Sequence, residues 1–245
     1  MIIRKIISFF NLIKIIFLKK KYIEKEIDIE KKFSIIYKTN YWASRESKSG
    51  TGSTLDFTEN IRKELEKILN KYELNKILDL PCGDFYWMKE FLKNKKINYI
   101  GADIVPELIK LLNKKYEDVN IKFKKLDIIK DKLPNADILF CRDCIIHFSN
   151  EDIFKTLKNF ASSNIKYLFI SHTINNNNFD NKDIITGEYR MVDLFSKPFN
   201  LPRETIVNII DYPMDDKGKD KRHMSMWSKE QIIEILDKKK NENTL

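Results

Sequence analysis

The feature that most constrains the fold is an alternation, from Lys76 onward, of short apolar runs with amphipathic segments. The runs "KILDL", "NYIGADI", "IKFKKLDI", "ADILFCRD" and "KYLFISHT" read as strands. Between them, "YWMKEFLKN", "PELIKLLNKKY" and "SNEDIFKTLKNFASS" carry apolar residues at helical spacing, with Pro106 at a favourable first-turn position and Ser149 and Asn150 as candidate caps. Strands that alternate with helices connect as βαβ units in a parallel sheet. The third run alternates most and is expected at an edge. After the Asn175–Asn178 loop the rhythm changes to an irregular stretch ended by Pro198 and Pro202. Two strands, "ETIVNIIDYP" and "RHMSMWS", follow as an antiparallel hairpin, then a helix in which Ser228 and Gln231 stand at capping-box spacing. Met224, Met226 and Trp227 read as core of the last strand. The expectation is an α/β fold with a mostly parallel seven-stranded sheet, a C-terminal antiparallel hairpin and an N-terminal helical extension.

Upstream of this sheet domain (76–245) the sequence divides into a basic and apolar N-terminal segment (1–40) and a loop with a helix (41–75). The helix should begin near Thr54 or Asp56 and carry Ile61, Leu65, Ile68, Leu69 and Tyr72 at helical spacing. Of the net charge of +9, a local excess lies in the first 22 residues, where six Lys or Arg meet no acid. Lys14 interrupts the apolar run, which rules out a spanning helix, and no small-x-small cleavage site follows. Arg4, Ser8, Asn11 and Lys14 project to one side of a helix, and Ile6, Phe9, Phe10, Ile13, Ile16 and Phe17 largely to the other. This pattern is that of an interfacial helix, so the basic balance points to a membrane surface before nucleic acid. A helix packed on the protein itself, or a start codon placed too early, would give the same pattern. Three cysteines make no disulfide framework and suit a reducing cytosol. Cys141 and Cys144 form a lone C-x-x-C at the end of an apolar run, without a second pair to build a zinc site.

A parallel sheet binds ligands at the carboxyl ends of its strands. Those ends carry Asp79 and Gly83, Asp103, Asp127, Arg142 with Asp143, and His172, in that order. The turn "DLPCGDF" holds one glycine. A dinucleotide pyrophosphate needs the several glycines of G-x-G-x-x-G for close approach. S-adenosylmethionine carries no phosphate, and one glycine plus an acid for its ammonium can suffice.

At these residues the sequence resembles the class I S-adenosylmethionine-dependent methyltransferases, over roughly Ile77 to Trp227. The resemblance implies their Rossmann-like fold and a cofactor site of Asp79, Pro81, Cys82, Gly83, Asp103, Ile104, Asp127, Ile128 and Arg142. In that family the acid after the second strand binds the ribose hydroxyls, here Asp103. The acid after the third faces the adenine amino group, here Asp127, with Ile128 as a neighbouring wall. Pro81 stands where the family keeps a glycine. The ordered segments "SGTGST", "DLPCGD", "YIGADIV" and "CRDCIIHFS" look like small methyltransferases of bacterial capsule and surface-glycan assembly, which implies a glycan, nucleotide-linked or phosphorylated acceptor.

Methyl transfer to a hydroxyl needs an aligned acceptor and a base. His147 and Asp143 are the base candidates, with His172 as a third. Asp143 as a metal ligand lacks companion carboxylates, so no metal is expected. Arg190, like Arg142, could clamp an anionic acceptor. The loop "ESKSGTGST" reads as a mobile lid contributing Ser49, Gly52 and Ser53, with Trp42 against ligand; an ordinary linker would look the same. The expectation is a cytoplasmic O-methyltransferase of a small-molecule or glycan-precursor substrate, peripheral at the inner membrane surface, with no nucleic-acid partner. A nicotinamide-dependent oxidoreductase, or a non-catalytic membrane-associated protein with a degenerate cofactor site, are the alternatives.

Overall fold

The computed structural model describes residues 23, 25–175, 179–213 and 221–242. The interfacial helix expected within residues 1–22 lies outside them, as does most of the polar loop between the last two strands. Among the described residues no helix is long and apolar enough to cross a membrane.

Helix α1 (Ile29–Lys38) starts where the Asp28 carboxylate accepts the Lys31 N–H at 3.0 Å. A 3₁₀ turn (Thr51–Ser53) and helix α2 (Glu59–Lys71) follow. Helix α2 starts later than the sequence suggests, because both the amide and the hydroxyl of Thr58 donate to the Thr54 carbonyl and fold residues 54–58 into turns. The sheet is built from β1 (Lys76–Asp79), β2 (Asn98–Asp103), β3 (Ile121–Lys125), β4 (Ile138–Cys141), β5 (Tyr167–Ile174), β6 (Val207–Pro213) and β7 (Lys221–Ser228). Helices α3 (Tyr86–Leu92), α4 (Pro106–Tyr116), α5 (Asn150–Ala161) and α6 (Lys229–Glu242) alternate with the strands or close the chain.

The strand order is β3-β2-β1-β4-β5-β7-β6. Strands β1 to β5 pair in parallel, while β7 pairs antiparallel with both β5 and β6. The fold is thus the expected seven-stranded, mostly parallel sheet with a C-terminal antiparallel hairpin, and the alternating strand β3 takes an edge. The order reverses between β1 and β4, which opens a crevice at their carboxyl ends.

Successive residues of a strand face opposite sides of the sheet, so Ile77 and Leu78 of β1 enter different cores. One core holds Leu78, Leu139, Ile153, Leu157, Phe160 and Trp227. The other holds Ile61, Leu65, Ile77, Met88, Phe169 and Met226. Each such side chain contributes about 1.5–3 kcal/mol by leaving water, and Met224, Met226 and Trp227 are wholly buried, as read from the sequence. The capping box forms at α6: the Ser228 N–H donates to Gln231 Oε1 at 3.0 Å, and the Gln231 N–H to Ser228 Oγ at 3.3 Å.

Candidate active site

A pocket lies at the carboxyl ends of β1, β2 and β4. The β1 turn supplies Asp79, Pro81, Cys82 and Gly83, and the end of β2 supplies Asp103 and Ile104. The segment expected to end β3 instead leaves the sheet at Lys125, so Asp127 and Ile128 reach the pocket from a loop.

Gly83 answers two local demands at once. Its φ is +53°, and an added Cβ would fall 2.2 Å from Ser49 Oγ. Its N–H donates to Asp103 Oδ2 at 3.2 Å, while the Val105 N–H donates to Asp103 Oδ1 at 3.0 Å. Burial pushes the Asp103 carboxyl up to about 6 against those backbone donors. Asp79 is buried beside it and accepts the Tyr99 hydroxyl at 2.6 Å. Burial raises Asp79 to about 8, with the Tyr99 bond opposing the rise. Asp127 accepts the Ile129 N–H at 2.9 Å and lies 3.3 Å from Lys130 Nζ. Ile104, Ile128, Leu108 and Leu126 form an apolar wall on this side.

The other side of the pocket follows β4. Asp143 has φ +55° and donates its N–H to Ser171 Oγ at 2.8 Å. Burial works to raise its carboxyl, but Arg222 and Arg142 outweigh it and hold Asp143 below the usual carboxylate range. Arg222 Nη1 contacts Asp143 Oδ1 directly, and Arg142 Nη1 lies 3.4 Å from Oδ2. His147 ends the 3₁₀ turn Ile145–His147, with Nδ1 2.8 Å from the Glu188 carbonyl oxygen. A carbonyl only accepts, so Nδ1 carries the hydrogen and Nε2 keeps its lone pair. Burial lowers the His147 pKa, opposed by the Glu188 contact and Asp143, which favours the neutral ring at pH 7. The rings of Trp42, Tyr189 and Phe33 surround the imidazole at centroid distances of 5.5, 6.0 and 6.4 Å.

Three residues expected in the site stand elsewhere. His172 is not at a strand end, because β5 continues paired with β7 as far as Ile174. It is wholly buried between Phe195 and Trp227, with Nε2 2.9 Å from Ser225 Oγ, and burial lowers its pKa to about 3. It cannot serve as a base reached by substrate. Arg190 is no anion clamp: its guanidinium donates to the backbone carbonyls of Phe148 and Lys182, tying residues 181–190 to the turn that carries His147. Gly52 does not line the pocket itself but lies behind its wall over Asp143 and Arg222, its carbonyl accepting Arg142 Nη1 at 2.8 Å.

Ser49, Ser53 and Trp42 do line the pocket. Their loop is fastened by Asp84, which accepts from the Lys48 N–H at 2.7 Å, Ser47 Oγ at 2.9 Å and Ser49 Oγ at 3.2 Å. Asp84 was not singled out in the sequence, although it directly follows Gly83. Helix α1 gives the expected N-terminal helical extension a place the sequence did not indicate: Ile29, Phe33 and Tyr37 line the pocket. The i, i+4 spacing of Phe33 and Tyr37 is the signal that shows it. Lys32 Nζ donates to the Thr186 carbonyl at 2.9 Å and Glu30 pairs with Lys125 at 2.7 Å, holding the helix in place. The C-x-x-C pair is buried and free, and its mutual contact and burial raise the Cys144 thiol. Among the described residues no group of three or more His, Cys, Asp or Glu is arranged to hold a metal ion.

Residues 77–163 match the family model for a methyltransferase domain. This segment carries the signature of a methyltransferase domain. Solved structures share the fold at low identity. The N-methyltransferase NodS from Bradyrhizobium japonicum WM9, in complex with S-adenosyl-L-homocysteine, aligns with TM-score 0.56 at 10% identity over 79% of this chain and 97% of that one. The methyltransferase domain of bacterial CtHen1 aligns with TM-score 0.51 at 14% identity over 70% and 99%. Magnesium protoporphyrin IX methyltransferase from Synechocystis PCC 6803 aligns with TM-score 0.51 at 11% identity over 70% and 83%. No curated protein sequence matches the chain. Helix α1 and the loop carrying Trp42, Ser49 and Ser53 line the pocket from outside the matched segment.

Proposed function

We propose that this methyltransferase methylates a hydroxyl oxygen of a glycan, nucleotide-linked or phosphorylated precursor in surface-polysaccharide synthesis. The observation that carries the oxygen assignment is the His147 imidazole, neutral, fixed by Glu188 and left with a free Nε2 lone pair in the pocket. A hydroxyl acceptor must lose a proton as it attacks, and such a nitrogen takes it.

The cofactor fits the first side of the pocket. Asp103 is buried, and its two oxygens accept the N–H groups of Gly83 and Val105, one each, which leaves acceptor capacity for the ribose hydroxyls. Asp79 offers a carboxylate for the ammonium, and Asp127 with Ile104 and Ile128 would hold the adenine. Pro81, Cys82 and Gly83 shape the turn against the methionine part. When bound, S-adenosylmethionine supplies an electrophilic methyl group on a sulfonium. His147 Nε2 would take the proton from an acceptor hydroxyl aligned with that methyl group. Asp143 is the second base candidate, though its two arginines weaken it as a proton acceptor. Trp42, Ser49 and Ser53 would close over the acceptor.

Residues 1–22 form the membrane-directed part of this reading: a basic, apolar segment for the inner membrane surface, ahead of the lid (41–75) and the cofactor domain (76–245). Removing them should abolish sedimentation with anionic vesicles and leave cofactor binding intact. The decisive test of function is methyl transfer from labelled S-adenosylmethionine to a panel of nucleotide-linked and phosphorylated sugars. Labelling of an amine in place of a hydroxyl would overturn the oxygen assignment.

A further inference from the structure

Beneath the lid, four buried charges meet. Arg142 and Arg222 are 6% and 5% exposed, and both direct Nε to Asp211, at 2.9 and 2.8 Å. Both also turn Nη1 toward Asp143. Two guanidiniums and two carboxylates cancel in charge, and a cluster serving the fold alone would also pair its remaining donors. It does not: Nη2 of Arg142 and Nη2 of Arg222 have no hydrogen-bond acceptor among the described residues.

The cluster sits where an acceptor would be. Arg142 and Asp143 line the pocket with His147, on the β4 side, whereas Asp103 and Asp127 stand on the β2 and β3 side. Arg222 on β7 and Asp211 on β6 extend it away from the nucleoside end. The covering residue is Gly52, whose missing Cβ would lie 3.5 Å from both terminal nitrogens of Arg222 and 2.9 Å from Asp143 Oδ2. A bare glycine on the lid leaves that guanidinium edge uncovered when the loop moves.

The geometry points to an oxyanion site formed by Arg142 and Arg222, which takes a phosphoryl group carried by the methyl acceptor when the Gly52 loop lifts. Two guanidiniums held on the same two carboxylates, each with an unpaired Nη2, carry the donors a tetrahedral oxyanion takes. The Asp143 carboxylate holds the same guanidiniums and competes with the incoming group. This assignment rests on the methyltransferase reading and narrows its substrate to phosphorylated acceptors.

Protein saturated with S-adenosylhomocysteine is titrated calorimetrically with inorganic phosphate, glucose 1-phosphate and acetate. Both phosphates should bind, with acetate at least tenfold weaker. Arg222→Gln should lower phosphate affinity at least tenfold while S-adenosylhomocysteine affinity is kept. Gly52→Ala, which covers the guanidinium edge, should also weaken phosphate. Asp143→Asn should tighten it several-fold by removing the competing charge. If Arg222→Gln does not fold, the opposite shifts of Gly52→Ala and Asp143→Asn decide. No phosphate binding, affinities unchanged across the variants, or acetate matching phosphate overturns the assignment. A folded sample that fails to bind S-adenosylhomocysteine sinks the underlying reading instead, and the phosphate titration of the same sample still decides the oxyanion site.

Discussion

Nδ1 of His147 lies 2.8 Å from the carbonyl oxygen of Glu188, a contact that fixes the imidazole tautomer. Arg190 sits two residues on and holds the same segment to the Phe148 carbonyl, so the chain that orients the ring is itself pinned. If His147 is the base proposed above, activity carries its pH signature. Burial lowers its pKa from 6.5, so kcat/KM should be flat from about pH 7 upward and fall tenfold per unit only on the acid side. His147→Gln should lower kcat by about 10²–10⁴ and remove that acid limb. A loss below about fivefold, with the limb intact, would return the role to Asp143.

Asp103 is pushed up to about 6 by burial, and hydroxyl donors bind its ionised form better. The affinity for S-adenosylhomocysteine should therefore fall as pH drops through 6. Asp103→Ala should weaken binding by about 1.5–3 kcal/mol and flatten that dependence. Calorimetry at pH 5, 6 and 8 separates the two outcomes, and equal affinities in wild type and variant would remove Asp103 from the cofactor site.

Asp79 carries the opposite consequence for the free protein. Its folded pKa is about 8 against 3.8 unfolded, so between those values the folded state holds more protons. Stability linked to Asp79 is full below about pH 4 and is lost as pH rises to about 8. Asp79→Asn cannot ionise, so its thermal stability relative to wild type should climb across that window, by up to about 1.4 kcal/mol per pH unit. A stability difference independent of pH would contradict the burial argument. If Asp79 takes the cofactor ammonium as proposed, the same variant should also weaken S-adenosylhomocysteine binding, most at pH above about 8 where the wild-type carboxyl is ionised.

How far the sequence discloses this molecule follows from how local each determinant is. Strand and helix rhythm depends on neighbours along the chain, so the sheet, the edge position of β3 and the Ser228–Gln231 capping box are readable. The strand-end acids are readable too, because each stands at the end of its strand or two residues beyond it. His172 misleads because the length of β5 is set by pairing with β7, some fifty residues later. Arg190 misleads because its partners are backbone carbonyls, which leave no trace in residue type. The Arg222–Asp143 contact joins β7 to the end of β4 and has no local pattern at all.

Asp84 collects three donors from the lid, and they should be lost together. Asp84→Ala leaves the Lys48 N–H and the hydroxyls of Ser47 and Ser49 without that acceptor, at an expected cost of about 1–3 kcal/mol to lid closure. The cores lie elsewhere, so global unfolding should move little. Limited proteolysis should cut within residues 47–53 faster, and acceptor KM should rise while the thermal midpoint stays within about 2 °C. A large drop in the midpoint with unchanged cleavage would make Asp84 a fold determinant and not a lid anchor.

The single glycine of the cofactor turn can be dissected by pairing Gly83→Ala with Ser49→Gly. Alanine at position 83 meets two penalties: a positive φ, which costs about 1–2 kcal/mol for an L-residue, and a Cβ placed 2.2 Å from Ser49 Oγ and 3.0 Å from Ser49 Cβ. Ser49→Gly removes the second penalty and leaves the first. It also gives up the bonds between Ser49 and Asp84. The double variant should be more stable than the sum of the single changes by at least about 1 kcal/mol, measured by denaturant unfolding. Strict additivity would mean that the lid does not rest on this turn in solution, and that only backbone conformation selects glycine there.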